Sequence, residues 1–395
     1  MAKTQGRRRR KIPPKRPQIS LANPRSWNRP LKTGVVPAYD LALQLLHRDS
    51  ESLQAEVKLL REQISQKEKE YADLQEKVSI LSEAERESEM DEIEALDQEL
   101  EAMMKKANII EIQSQVNLPA VRWTVNNAMA DMSKISHRHL VEQKWRKDGD
   151  LDLLMERLYQ MNVVPDVLPE IRPTVDLHIV ARTTPSDFLE KKKVQIQVEA
   201  GTFLRPKQTL TPLKLRANVF HTDERLYTML LVDPDVPNPQ DGSYSTFLHW
   251  MKPNIPLSAM SSNHLTGLNN HTTYIPPHPQ RGTPYHRYVC LLLLQPPISN
   301  YSLTTAARAT GPTSQHLNIP IVAENERLGF DVREFTQKWG LNAASGGGAH
   351  MFRQVWDQDV SKIYQDNLKQ DEPRYSRPPK FNVYEQLKGR KKYLL

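Results

Sequence analysis

With one cysteine in 395 residues, Cys290, no internal disulfide can form and no oxidising compartment is required. That thiol sits in the apolar run Tyr288-Val289-Cys290-Leu291-Leu292-Leu293-Leu294, a setting for a buried small hydrophobe rather than a nucleophile. No apolar run approaches the roughly 20 residues of a membrane-spanning helix. The basic start is not followed by the apolar stretch of a secretory signal, so no such signal is expected. Apolar residues make up only 38% of the chain and the mean hydropathy is −0.63, low for one compact globule. Part of the chain is therefore expected to lack a core of its own. Acids are absent from residues 1–34, and proline and glycine from 41–112. These two gaps define the first two regions.

The net charge is +7 and the pI about 9.2, which favours an anionic partner. Residues 1–40 form a basic, Pro-rich extended arm. Its first 34 residues hold eleven Lys or Arg, among them Arg7, Arg8, Arg9, Arg10, Lys11, Lys15 and Arg16, with five interspersed prolines. Prolines forbid a continuous helix and like charges repel, so the arm is expected to order only against phosphates. A mitochondrial transit peptide is also Arg-rich and acid-poor, but it needs an amphipathic helix that this segment cannot build; an RNA-binding arm is the preferred reading, and the two roles can overlap. Residues 366–395 form a second, shorter basic tail with eight bases against four acids, ending in Arg390, Lys391 and Lys392 and interleaved with Tyr375, Phe381, Tyr384 and Tyr393.

Residues 41–112 read as one long helical segment. Leu46, Leu53, Leu60, Leu74 and Leu81 recur at multiples of seven, with Lys67 interrupting, and Ser50, Val57, Ile64, Tyr71 and Val78 follow four positions on. The seam fits a coiled coil or a single helix laid on another surface. Over 83–101 there are ten acids and one base, a run that needs a basic protein or water as neighbour. Residues 113–173 read as a helical linker. Its His137-Arg138-His139 and Lys144-Trp145-Arg146-Lys147 clusters point to a further surface for RNA or protein.

Residues 174–365 read as the folded β domain. Segments 175–180 and 194–198 alternate with period two, whereas 226–232 and 288–294 are nearly continuous apolar runs suited to interior strands. The expected class is α+β, a mainly antiparallel β-sandwich with peripheral helices, including late helices in 324–340 and 351–366. Gly346-Gly347-Gly348 reads as a hinge or close turn; no Lys-Ser/Thr follows, so it is no phosphate loop.

The chemistry-bearing residues cluster in Asp233-Pro234-Asp235-Val236-Pro237, Leu248-His249-Trp250, Asn254-Ile255-Pro256 and Gly282-Thr283-Pro284-Tyr285-His286-Arg287-Tyr288-Val289. In order and approximate spacing these segments resemble the signatures of the phosphatidylethanolamine-binding protein family over about half the chain. The resemblance implies an antiparallel β-sandwich with a small anion pocket lined by Asp233, Asp235, His249, His286 and Tyr288. Imidazoles and a tyrosine hydroxyl donate to an anion, and the carboxylates orient the imidazoles. Buried hydrogen bonding that merely holds the loops together is the competing reading of the same residues. Two His and two Asp also match a zinc set, but the family is not one of metalloproteins and no metal is expected. The sequence departs from the family where Pro276 and Pro284 stand in place of glycines, removing amide donors that a glycine could aim at an anion.

The whole layout of basic arm, long helix, β domain and basic tail resembles the mitochondrial large-subunit ribosomal members of that family, in their fungal form. This implies a structural protein of the mitochondrial matrix, bound to large-subunit rRNA through its arms and to neighbouring ribosomal proteins through its helical segment and β domain. The alternative is an anion- or phospholipid-headgroup-binding regulator of a kinase or protease. Neither activated nucleophile nor cofactor motif is present, so neither catalysis nor a cofactor is expected.

Overall fold

The computed structural model describes residues 19–21, 23–80, 83–184, 194–298 and 311–375. The chain divides into two compact units, residues 1–144 and 145–395. The predicted RNA-binding residues Arg7, Arg8, Arg9, Arg10, Lys11, Lys15, Arg16, Arg390, Lys391 and Lys392 lie outside the described residues. Among the described residues no helix is long and apolar enough to cross a membrane.

The first unit is built on α1 (Pro37–Ile80) and α2 (Glu83–Val116), followed by α3 (Pro119–Asn126) and the start of α4 (Ile135–Lys147). The Pro- and Gly-free stretch is thus two helices rather than one. The heptad seam is the covered stripe of α1: Val57, Leu60 and Ile64 are buried against Leu100, Ala107 and Ile110 of α2, with Leu53 and Tyr71 packed at the margin. Burying each large aliphatic side chain contributes about 1.5–3 kcal/mol, far more than the ion pairs that flank the seam. Those pairs, Glu56 with Lys106 and Lys67 with Glu99, nonetheless report an antiparallel arrangement. They also explain how Lys67 sits in an apolar series. Its ammonium reaches a carboxylate of the acidic run, that of Glu99.

Of the two linker clusters, the second leaves Lys144, Arg146 and Lys147 exposed, whereas part of the first turns inward. On α4, His137 and Arg138 are buried; His137 Nδ1 accepts from the Asp131 amide at 3.0 Å, and Arg138 Nη1 donates to the Met132 and Ser133 carbonyls at 2.8 Å. Both side chains fasten the preceding turn.

Among the described residues the second unit contains seven strands: β1 (Asp176–Arg182), β2 (Gln195–Val198), β3 (Lys214–Asn218), β4 (Arg225–Asn238), β5 (Ser243–Leu257), β6 (His286–Leu294) and β7 (Gly347–Gln354). They form two antiparallel sheets, ordered β2-β1-β3 and β5-β4-β6-β7. One face of the larger sheet, carrying Tyr227, Met229, Leu231, Tyr288, Cys290 and Leu292, packs on Leu177, Ile179 and Leu215 of the smaller. Its other face, carrying Leu230, Val232, Val289, Leu291 and Leu293, is covered by a second layer. That layer comes from α5 (Asp150–Gln160), α6 (Val163–Asp166), the stretch through Ile171, and α7 (Val332–Trp339). Burial on both faces is why 226–232 and 288–294 are continuous apolar runs rather than alternating ones.

Two expectations are corrected. Residues 351–354 are the end of β7; helix begins only at α8 (Gln358–Ile363), which passes directly into a π-helical turn over Tyr364–Leu368. The triple glycine is a site of close backbone approach rather than a hinge. A Cβ on Gly347, which has φ +127°, would lie 2.3 Å from the Leu292 carbonyl oxygen, and the Thr174 and Val175 amides both donate to the Gly347 carbonyl.

Cys290 is 1% exposed, and burial pushes its thiol up to about 12. We expect a thiol-reactive aromatic disulfide to leave the native chain unlabelled and to modify Cys290 stoichiometrically in urea; rapid labelling of the native chain would contradict this packing.

Candidate functional site

The site lies at one end of the larger sheet. Asp233 comes from β4, His249 from β5, and His286 and Tyr288 from β6, where they continue the inward-facing series that Cys290 and Leu292 begin. The Asp-Pro-Asp-Val-Pro segment is part of strand β4 rather than a loop beside it. Prolines are accommodated because β4 pairs with β6 only as far as Val232, and its register with β5 shifts between Asp233 and Val236.

His286 Nδ1 donates to Asp233 Oδ2 at 2.8 Å, with the two side chains 0% and 2% exposed. The other ring nitrogen is 2.9 Å from Thr283 Oγ1, whose own hydrogen is given to the Gln280 carbonyl at 2.8 Å. The threonine oxygen must therefore accept, so both imidazole nitrogens carry hydrogens and His286 is an imidazolium. Burial opposes that charge, yet the Asp233 carboxylate against it raises the His286 pKa above its ordinary value. Burial likewise opposes ionisation of Asp233, and His286 beside it, then His249 and the Asp235 amide, hold it below the usual carboxylate range.

His249 differs. Its Nδ1 donates to the Ile275 carbonyl at 3.0 Å, and burial, reinforced by the neighbouring His278, pushes it down to about 3. It is neutral, so Nε2 presents a bare lone pair, and this buried atom has no partner. The Tyr288 hydroxyl is also buried and unpartnered, its pKa raised first by burial and then by the Asp233 charge. The His249 and Tyr288 rings meet edge-on at 5.3 Å.

Asp235 is not part of this cluster. It accepts from the Arg287 amide at 2.8 Å and holds the Arg287 guanidinium bidentately, while Arg287 Nη1 reaches the Met161 and Asn162 carbonyls and Asp166. This pair clamps the α5–α6 turn onto the sheet. Of the five residues expected to line a pocket, four converge and Asp235 serves the clamp.

Several residues at the site carry no mark in the sequence. His278 is buried, with its ring 4.9 Å from Phe247, 5.0 Å from His249 and 5.4 Å from Tyr364. Its Nδ1 donates to the Pro276 carbonyl at 2.8 Å, and burial lowers its pKa. The segment after α8 closes the loop from outside: the Tyr375 amide donates to the Arg281 carbonyl at 2.7 Å, and a Cβ on Gly282, with φ +94°, would be 1.7 Å from the Tyr375 oxygen. Thus Gly282 admits the chain crossing over it.

A polar cleft of about 990 Å³ opens beside the cluster, lined by Asp166, Asp235, Tyr244, His286, Arg287 and Arg333 among others. Asp233, His249 and Tyr288 contribute nothing to its lining. Among the described residues no group of three or more His, Cys, Asp or Glu could hold a metal ion. Chemically the cluster is a neutral ion pair with one free acceptor, one free donor and a filled interior.

Comparison with known proteins adds the following. The family profile for phosphatidylethanolamine-binding protein matches residues 187–347. The large ribosomal subunit protein mL38 of Schizosaccharomyces pombe is 27% identical over 253 residues, 64% of this chain and 72% of that protein. The protein MOTHER of FT and TFL1 homolog 2 of Oryza sativa subsp. japonica is 30% identical over 141 residues, 36% of this chain and 72% of that protein. A solved phosphatidylethanolamine-binding protein from Plasmodium falciparum is 19% identical with a TM-score of 0.31, covering 51% of this chain and 96% of that one.

Proposed function

As the chain belongs to the phosphatidylethanolamine-binding protein family, we propose that it serves as a structural constituent of the mitochondrial large ribosomal subunit. The observation that carries this reading is the similarity to mL38, which runs over 253 residues and so extends past the segment 187–347 that the family profile covers. A relative matched through the β domain alone would leave the remainder of the chain without a role. The burial of the Asp233–His286 pair, 2% and 0% exposed, agrees with the same reading, since buried hydrogen bonds hold the sheet end together without a ligand.

In this proposal the arms supply Arg7, Arg8, Arg9, Arg10, Lys11, Lys15, Arg16, Arg390, Lys391 and Lys392 to rRNA phosphates, and the helical unit and β domain meet neighbouring proteins in the matrix. No catalysis is assigned. The test is fractionation of mitochondrial lysate on a sucrose gradient. The chain is expected to co-migrate with large-subunit rRNA and to be released as salt rises; sedimentation free of ribosomal particles would overturn the proposal.

A second reading, an anion- or phospholipid-headgroup-binding regulator, is favoured by the unpartnered His249 Nε2 and Tyr288 hydroxyl. Calorimetric titration of the native chain with inorganic phosphate at neutral pH is expected to give no binding heat. Binding that disappears in a His249→Ala variant would favour the regulator instead.

A further inference from the structure

The arms are not the only cationic surface. In the smaller sheet the inward residues Leu177, Ile179, Ala181, Val198, Leu215 and Ala217 fill the core. Strand alternation puts Asp176, His178, Val180 and Arg182 of β1, Gln195 and Gln197 of β2, and Lys214, Arg216 and Asn218 of β3 on the other face. The one carboxylate there is committed: Asp176 Oδ2 lies 2.8 Å from His178 Nε2 and accepts from Asn218 at 2.9 Å, while Gln197 holds the other His178 nitrogen. Arg182, Lys214 and Arg216 are exposed, and none has an ion-pair partner among the described residues. Their field reaches a neighbour. His264, bridged to Arg216 through the backbone, has its pKa lowered by partial burial and then by Arg216 and Lys214.

Spacing follows from register. Lys214 and Arg216 are two residues apart on one face, roughly 7 Å. Because Val180 pairs with Lys214, Arg182 is the diagonal neighbour of Lys214, also about 7–8 Å away. The three cations therefore form a row across β3 and β1, with the amides of Gln195 and Gln197 alongside. Among the described strand residues the only apolar side chain on this face, Val180, is 9% exposed.

We propose that this outer face of the β2-β1-β3 sheet is an RNA-binding surface that engages the phosphate backbone through Arg182, Lys214 and Arg216. A row of unneutralised cations suits a regularly repeating anion. A protein partner is disfavoured because interface cores are aromatic and aliphatic and depleted in lysine, whereas the described strand residues of this face offer no exposed apolar anchor. The proposal rests on the reading of the chain as a ribonucleoprotein constituent and assigns RNA contact to the β domain itself.

The test uses the full chain and a fluorescein-labelled 20-nucleotide oligouridylate, with affinity followed by anisotropy between 50 and 200 mM KCl. Each phosphate contact on a single strand adds about 0.7 to the slope of log K against log salt, so removing three lowers it by about two. Wild type is then expected to lose roughly 20-fold more affinity over this range than an Arg182→Ala/Lys214→Ala/Arg216→Ala variant. An Arg182→Lys/Arg216→Lys variant should keep the wild-type slope, and urea midpoints of all three chains should agree. Equal slopes in wild type and the triple variant would overturn the proposal while leaving the ribosomal reading intact. Equal loss of polyglutamate binding would replace RNA by an acidic protein. Failure of wild type to bind RNA at 50 mM KCl would sink both readings.

Discussion

Replacing His286 with alanine is expected to lower the folding free energy by about 3–5 kcal/mol, the cost of leaving a buried carboxylate without its counter-charge. Asp233 is 2% exposed and would keep only the Asp235 amide at 2.9 Å as a donor. The double variant Asp233→Asn/His286→Ala should be less destabilised than the single one, because no ion is then stranded. Urea denaturation followed by far-UV circular dichroism measures both. A loss below about 1 kcal/mol for His286→Ala would mean that the pair is neutral or solvated, and the structural reading of the pair would lose its main support. The signs of the two shifts define where the pair acts. His286, with a raised pKa, contributes fully below its ordinary value of 6.5 and loses that contribution as pH rises through the raised one. Asp233, with a lowered pKa, contributes above 3.8 and loses it as pH falls through the lowered one. The pair is therefore strongest between those limits.

Much of this architecture was legible in the sequence. The seam through Leu53, Val57, Leu60 and Ile64 is the covered face of α1, because a seven-residue repeat reports which side of a helix is dry. It does not report what covers that side, and here α2 of the same chain does. The apolar runs of β4 and β6 were readable for the opposite reason, burial on both faces. Strand β5 and the far half of β4 were not, because Pro234 and Pro237 argue against a central strand and only the one-sided pairing beyond Val232 admits them.

The site was legible in composition but not in geometry. In a regular strand Asp233 and Asp235 would share a face. The register shift between Asp233 and Val236 separates them, sending one carboxylate to His286 and the other to Arg287. His278 gave no signal, because its position depends on Phe247 and Tyr364, residues 31 and 86 positions away in sequence. Its ring packs 5.0 Å from that of His249, and its charge is one cause of the low His249 pKa.

Acidification from pH 7 to 5 is expected to destabilise the second unit by about 4 kcal/mol, and the cause is again histidine burial. His249 is held down to about 3 and His350 to about 4, against an ordinary value of 6.5. Both are neutral in the fold: His350 Nε2 donates to the Val198 carbonyl at 3.0 Å and its Nδ1 is buried without a partner. A lowered pKa means that the unfolded chain takes up the proton first, so stability is full above 6.5 and declines as pH falls below it. At pH 5 each residue accounts for about 2 kcal/mol. His278 acts in the same direction, whereas His286 opposes it only above its ordinary value, where its own contribution is incomplete. Urea midpoints at pH 7, 6 and 5 should fall steadily, and a His350→Leu variant should show about half the decline. A flat profile would mean that these imidazoles are solvated or already charged. The same proton balance bears on ligand binding. For His249 to donate to an anion from Nε2 it must either change tautomer and lose its Nδ1 bond to the Ile275 carbonyl, or be protonated, which at pH 7 costs about 5 kcal/mol with its pKa near 3. A small anion would have to recover one of those costs, which weighs for the cluster's part in stabilising the sheet end over a part in binding.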